Sequence, residues 1–441
     1  MQPYAQRRAA LIETMQAQGG GVAIIPTAHE VMRNRDADYP YRHDSYFYYL
    51  SGFTEPEAVI VLIAGKENKS ILFCREKNVE REIWDGYRYG PDVAREQFGF
   101  DAAYGVAKLD EEMPKLLANA PALFYPLGHD TKLDARLQTW LAAVRMQARA
   151  GVSAPTTLHD VRTLLDEMRL FKDASEIAIM QRAADISAKA HCRAMRLSRP
   201  GLREYHLEAE LLHEFRRNGS QFPAYGSIVA TGANACVLHY RAADAELKDG
   251  DMVLIDAGCE LDGYASDITR TFPANGRFTG PQRALYDIVL AAQHAAIDAT
   301  RPGKGFMDGH DAAVRILAQG MLDTGLLDKT KVGSLDDVIE KKSYSQFYMH
   351  RTGHWLGMDV HDVGEYRDHA AEGKPWRALK PGMVLTIEPG MYVRPAEGVP
   401  EQFWNIGIRI EDDALVTEDG CHILTSKVPT NADEIEALMR Q

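Results

Sequence analysis

Cysteine is scarce in these 441 residues: Cys74, Cys192, Cys236, Cys259 and Cys421 are widely scattered and form no C-x-x-C pair. An odd, dispersed set builds neither a disulfide framework nor a thiolate zinc site, so reduced, buried thiols are expected. No apolar stretch approaches the ~20 residues that a bilayer span needs, and the opening MQPYAQRRAALIETMQ is amphipathic without a secretory apolar region. A cytoplasmic protein without membrane contact is the expectation. Positive charge is in deficit too, with 50 Lys and Arg against 63 Asp and Glu, a net charge of −13. Such a field repels phosphate backbones and argues against nucleic acid as a partner. Low-complexity tracts and solenoid repeats are also missing. What is present, 45% apolar and 26% charged residues, is ordinary globular composition on a chain long enough for roughly two or three domains.

The pattern along the chain predicts an α/β (α+β) protein. GGGVAIIP, PEAVIVLIAG, KSILFC and PALFYPLG read as short buried strands bounded by turn residues. Helices are expected near Ala5–Gln16 and over TKLDARLQTWLAAVRMQAR, where apolar positions recur at helical spacing. AGVSAPTT, rich in Gly, Ser, Pro and Thr, marks a boundary. The expected division is an N-terminal mixed α/β domain over 1–152, a linker and entry helix over 153–174, and a catalytic domain over 175–441. Asp173 can cap the helix that follows, with Glu176 reaching back.

The chemistry concentrates in four segments. In MVLIDAGCELDGYASDITRTF a strand ending at Asp256 meets the type I′ turn Asp262-Gly263, and a second strand carries Asp267 back. A two-residue loop sets Asp256 opposite Thr269, which puts Asp267 on the same face and diagonal to Asp256. Two carboxylates so placed repel unless a cation lies between them. FYMHRTGHWLGMDVHDVGEY holds His350, His354 and His361. The first two have i, i+4 spacing, but no Glu follows His350 and Gly353 precedes His354, so a strand or turn is expected instead of the H-E-x-x-H helix. Glu388 interrupts the apolar run VLTIEPGMYV, and Glu411 alternates with Ile408 and Ile410 in IGIRIEDDALV. Such acids are paired, metal-bound or on the solvent face; Arg409 is one available partner for Glu411. Asp412 and Asp413 read as a solvated strand end.

Asp256, Asp267, His354, Glu388 and Glu411 form a set whose four carboxylates match the charge of two divalent cations, where four buried acids without metal would be prohibitively unfavourable. Oxygen-rich ligation with one imidazole suits Mn²⁺ first, with Co²⁺, Fe²⁺ or Zn²⁺ as substitutes. Two cations ~3.5–4 Å apart hold a bridging water and lower its pKa, which points to hydrolysis.

This ordered set resembles the dinuclear metallopeptidases of the pita-bread fold, which include methionine aminopeptidase, prolidase, creatinase and aminopeptidase P. LIDAGCELDGYASDITRTF, HWLGMDVHDVG, LTIEPGMYV and GIRIEDD look like the phrases of the bacterial Xaa-Pro aminopeptidases, and PYRHDSYFYYLSGFTEPEAV and EIWDGYRYG resemble their N-terminal domain. The resemblance covers nearly the whole chain. It implies Asp256, Asp267, His354, Glu388 and Glu411 as metal ligands, with Asp267 and Glu411 bridging. It also implies His239, His350 and His361 as pocket histidines acting on the peptide, with Arg409 and Tyr392 just behind them. Trp84 would be presented by an oligomer, a dimer or tetramer, to a neighbouring active site. The implied reaction is attack by a bridging hydroxide on the first carbonyl of a peptide with proline second, Glu388 passing the proton to the proline nitrogen.

The interval from His361 to Glu388 is longer than the family's compact version and carries Arg367, His369, Trp376 and Arg377. An arginine there that grips a dipeptide's carboxylate is the feature expected of a prolidase, whereas the short interval from Glu388 to Glu411 looks like aminopeptidase P. A prolidase and a catalytically dead binding module are the competing readings, the second disfavoured because all five candidate ligands are present.

Overall fold

The computed structural model describes residues 3–441; residues 1–2, the start of the expected N-terminal domain, lie outside the described residues. The chain forms two compact units, dividing after Arg169.

The N-terminal unit is built on a six-stranded mixed sheet. Gly21–Pro26, Val59–Ala64 and Lys69–Cys74 pair antiparallel, and Ala102–Gly105, Ala122–Phe124 and Thr157–His159 add parallel to them. The run VIVLIA is central and buried almost throughout, which is why it shows no polar alternation. Helix Thr131–Arg145 starts where the Asp130 carboxylate accepts the amides of Lys132 and Leu133 at 2.9 and 3.1 Å. Its Leu133, Leu137, Trp140 and Val144 pack on the sheet. The segment expected as linker departs from the expectation. Thr157–His159 closes one edge of this sheet, because parallel backbone bonds to Ala122–Phe124 recruit three residues whose composition reads as loop.

The second unit surrounds several small antiparallel sheets with long helices, Ala174–Leu197, Glu204–Arg217, Gly280–Ala299 and Asp308–Asp323. Asp173 and Glu176 form the capping box at the first of these: Asp173 accepts the Glu176 amide at 3.0 Å and Glu176 accepts the Asp173 amide at 3.0 Å. Strand Met252–Asp256 lies between Ile228–Thr231 and Thr269–Pro273. Val384–Ile387 pairs with Asp412–Val416, and Gly390–Val393 with Ile406–Arg409. One apolar core, with Ile255, Phe272, Tyr286, Trp355, Met383 and Ile408 all fully buried, sits behind these strands. Each such side chain contributes roughly 1.5–3 kcal/mol of burial, which fixes the strand ends from which the polar site is built. The α/β expectation holds for both units.

Candidate active site

The turn Asp262-Gly263 has both φ angles positive, +50° and +80°, the type I′ geometry that a two-residue hairpin needs. Leu261 therefore pairs with Tyr264, and the register carries through to Asp256 opposite Thr269. The carboxylates of Asp256 and Asp267 converge on one phenol: the Tyr225 hydroxyl lies 2.6 Å from Asp256 Oδ1 and 2.5 Å from Asp267 Oδ1. With a single proton, Tyr225 donates to one acid at a time.

Residues 352–356 run as an extended segment beside Val384–Glu388, with Trp355 bridged to Leu385 and the Glu388 amide donating to Thr352 O at 2.8 Å. Gly353 is required there, since a Cβ would collide with the Thr386 carbonyl oxygen. This pairing brings His354 and Glu388 to one side. His354 donates from Nδ1 to the Trp355 carbonyl at 2.9 Å, which leaves Nε2 facing Asp267 Oδ2 at 3.5 Å and Glu388 Oε1 at 3.8 Å. A backbone carbonyl that fixes the far ring nitrogen is the usual support of a ligating imidazole.

Glu411 stands between strands Ile406–Arg409 and Asp412–Val416, bridged to Thr269 through its own backbone, and its carboxylate accepts from the Thr269 hydroxyl at 2.5 Å. Arg409 is not its direct partner. The guanidinium donates to Asp256 Oδ2 at 2.6 Å, to the Tyr392 hydroxyl at 3.0 Å and to Thr269 Oγ1 at 3.2 Å, because the strand pairing aims it across the hairpin. Asp412 and Asp413 are also not a solvated end. Both are buried: Asp412 is held by the fully buried Arg270 at 2.8 Å, and Asp413 Oδ2 accepts the Asp267 amide at 3.1 Å.

The electrostatics of this cluster are those of acids without enough cation. Burial pushes Glu388 up to about 7, with Asp267 and Asp256 adding and His354 and Arg409 opposing. Burial and the neighbouring carboxylates likewise raise Asp267 and Glu411. At His354 burial lowers the pKa, but the Asp267 bond and the Glu388 charge outweigh it, giving about 9. Ligand atoms of Asp267, His354 and Glu411 all lie within 4.8 Å of one another, close enough to share one ion. Carboxylate oxygens with one imidazole nitrogen, raised toward protonation by one another, are a donor set that divalent cations fit.

Three further histidines border the cluster. His361 stacks on His354 at 4.0 Å. His350 donates from Nδ1 to the Arg351 carbonyl at 2.7 Å, so its Nε2 accepts from the Tyr392 hydroxyl at 2.8 Å; burial and the Arg409 charge hold it neutral, with a pKa lowered to about 4. His239 lies on an exposed loop; burial, with smaller contributions from His354 and His239, lowers the pKa of His361. Trp84 belongs to the N-terminal unit, on helix Val79–Asp85, and is 81% exposed. In the long interval, Arg367 stacks on Trp376 at 3.4 Å and Arg377 lies over Phe171 at 5.8 Å. Sequence reasoning missed Tyr225, the carboxylate-bonding role of Thr269, and Arg270: each acts through partners distant along the chain, and no local motif marks them.

Acids and an imidazole gathered at strand ends, bordered by further histidines, are the donor set of a metal-dependent hydrolase. Residues 178–418 match metallopeptidase family M24, and residues 4–125 match the aminopeptidase P N-terminal domain. The chain belongs to metallopeptidase family M24, within its aminopeptidase P branch. It is 46% identical over 440 residues to the Xaa-Pro aminopeptidase of Escherichia coli strain K12, covering 99% of this chain and 97% of that protein. The structure of Pseudomonas aeruginosa aminopeptidase PepP superposes with a TM-score of 0.95 at 50% identity, covering 99% of this chain and 97% of that one. A zinc-substituted E. coli aminopeptidase P in complex with product gives 0.94 at 45% identity, with the same coverage. The pita-bread architecture of the second unit follows from these similarities.

Proposed function

We propose that this chain is an Xaa-Pro aminopeptidase, releasing the first residue from peptides with proline in second position. The observation that carries this reading is end-to-end similarity, through both units, to an enzyme of that activity. Prolidase, the alternative, has no comparable support, since the same end-to-end coverage recurs with a second Xaa-Pro aminopeptidase, that of Haemophilus influenzae.

Asp256, Asp267, His354, Glu388 and Glu411 would hold two divalent cations, with Mn²⁺ the first candidate and Co²⁺, Fe²⁺ or Zn²⁺ as substitutes. When bound, such ions supply Lewis-acid charge and a water of lowered pKa. The chain's own residues do the rest. Glu388, whose Oε1 faces His354 Nε2 at 3.8 Å, would take a proton and pass it to the departing proline nitrogen. Neutral His350, fixed by Tyr392 and Arg351, offers its ring to the peptide without repelling a free N-terminal amine. His361 and His239 would border the carbonyl whose charge grows in the transition state. Arg409 and Tyr392 keep Asp256 and His350 in register. Because an Xaa-Pro bond lacks an N–H, side chains must replace the backbone contact that ordinary peptidases use.

A cytoplasmic location is supported by five unpaired cysteines and by the lack, among the described residues, of any helix long and apolar enough to cross a membrane. A homo-oligomer, dimer or tetramer, is supported by the exposed Val79, Ile83 and Trp84, with Trp84 offered to a neighbouring copy's site. The deciding experiment is a Mn²⁺-reconstituted assay on Xaa-Pro and Xaa-Pro-Xaa peptides. Release of the first residue from the longer peptides is expected; cleavage confined to dipeptides would return the prolidase reading.

A further inference from the structure

Glu204 is the first residue of helix Glu204–Arg217 and is fully buried. A buried carboxylate normally needs a cation or several donors, and among the described residues no Lys or Arg pairs with it. Its donors are all neutral. Oε1 accepts the Thr231 amide at 2.8 Å and Asn234 Nδ2 at 3.1 Å, and Oε2 accepts the Tyr240 hydroxyl at 2.9 Å and the Ala245 amide at 3.0 Å. All four come from one stretch, 231–245, and that stretch carries His239.

The two ends of this stretch have other supports. Cys236 O accepts from Arg394 Nη2 at 2.6 Å, and the Glu204 amide donates to Ala245 O at 3.0 Å. The middle has little of its own. Among the described residues, no backbone N–H from Leu238 to Asp244 donates to a backbone carbonyl. The Tyr240 phenol, adjacent to His239, is what reaches inward from this part, to Glu204 and to Asn234 Nδ2 at 3.0 Å. Leu238 and Tyr240, on either side of His239, also pack against a small buried cluster containing Tyr392, the hydroxyl that meets His350.

We propose that Glu204 is a positioning residue for the reaction: its carboxylate fastens the start, middle and end of the 231–245 loop and thereby sets the placement of His239 against the substrate. This rests on the reading of the chain as a peptidase whose substrate meets His239. Glutamine at 204 keeps one acceptor oxygen but turns an amide N–H toward the Ala245 N–H and takes away the acceptor of the Tyr240 hydroxyl, so the middle of the loop loses its tie while the backbone bond to Ala245 O and the side-chain volume are kept.

The test uses the full chain reconstituted with Mn²⁺ as wild type, Glu204→Gln, His239→Ala and the double variant, assayed on an Xaa-Pro-Xaa peptide. Glu204→Gln is expected to lower kcat/KM about tenfold, the scale of one lost charge-assisted hydrogen bond, and on the same parameter, kcat or KM, that His239→Ala changes. In the His239→Ala background its effect should shrink below about twofold, since the two act as a unit. An equal loss in both backgrounds, or none, overturns the proposal. Should Glu204→Gln not fold, Tyr240→Phe replaces it in the same cycle, with about a threefold loss expected and the same non-additivity. Hydrogen exchange supplies an arm that does not depend on turnover: the bonded amides of Val237 and Ala245 should exchange faster in Glu204→Gln, or in Tyr240→Phe, with 252–272 unchanged. If the wild type cleaves no Xaa-Pro bond, the proposed activity fails and exchange alone decides the loop's dependence on Glu204; unchanged exchange overturns that dependence.

Discussion

Arg409 Nη2 lies 2.6 Å from Asp256 Oδ2, and the same guanidinium reaches Tyr392 and Thr269. One planar fork thus ties a candidate metal ligand to the hydroxyl that orients His350 and to the hydroxyl that donates to Glu411. Lysine cannot span three partners at fixed angles. Arg409→Met is expected to cost about 3–5 kcal/mol in folding stability, because Asp256 loses its buried counter-charge. Arg409→Lys should fold but lose at least about tenfold in kcat/KM, having lost hydrogen bonds that hold the site in register. Denaturant unfolding and steady-state kinetics check both.

Tyr225 shields two acids from each other with one hydroxyl. Tyr225→Phe removes the donor and leaves two carboxylates facing across the hairpin. Mn²⁺ affinity, read by titration calorimetry, should fall about 10–100-fold, the scale found when a hydrogen-bond partner of a metal ligand is removed. By linkage the metal-loaded variant should lose more stability than the metal-free one, because the weaker affinity removes about 1.4–2.7 kcal/mol of the stabilisation that Mn²⁺ confers on the wild type. Equal losses in the two forms would speak against this account.

Chelation exposes the linkage of the site to pH. Burial holds Glu388 at about 7 in the folded chain, against an unfolded value near 4.5. The folded state therefore keeps a proton that the unfolded state releases. That contribution to stability is full below about pH 4.5 and is lost as pH rises through 7. Divalent cations bind the ionised form and reverse the trend. The rise in unfolding temperature on adding Mn²⁺ should accordingly be larger at about pH 7.5 than at about pH 5, measured by calorimetry.

Much of this site is written in short phrases. The Asp262-Gly263 turn sets the hairpin register, and the opposition of Asp256 and Thr269 follows by counting along two strands. An acid inside VLTIEPGMYV stands out because nothing nearby solvates it. What could not be read depends on chain crossings. Tyr225 meets Asp256 from 31 residues away, and Thr269 meets Glu411 from 142. Asp412 and Asp413 look solvated by their polarity; only the arrival of Arg270 and of the Asp267 amide makes them interior groups. Arg409 could be matched to Glu411 by strand alternation, but the hairpin standing in front of it takes the charge instead. Thr157–His159 has linker composition and is a strand solely because a parallel edge was open beside it.

His191, fully buried in helix Ala174–Leu197, gives a prediction away from the ligands themselves. Its Nε2 lies 2.9 Å from the carbonyl of Ala257, the residue after Asp256, and its Nδ1 is buried without a partner among the described residues. A carbonyl only accepts, so Nε2 carries the proton and the neutral ring has none at Nδ1. Burial, helped by the Arg270 charge and opposed by the Ala257 bond, lowers the pKa to about 4. In the unfolded chain the ring titrates near 6.5, so between these values the unfolded state takes up a proton that the folded state refuses. Stability from this group is full above about pH 6.5 and drains as pH falls toward 4, amounting to about 2 kcal/mol lost at pH 5. His191→Gln keeps a donor for Ala257 and removes the titration. Urea unfolding of the metal-free proteins should show the wild type losing about 2 kcal/mol more than the variant between pH 7 and pH 5, and parallel pH curves would remove His191 from the acid sensitivity of the fold.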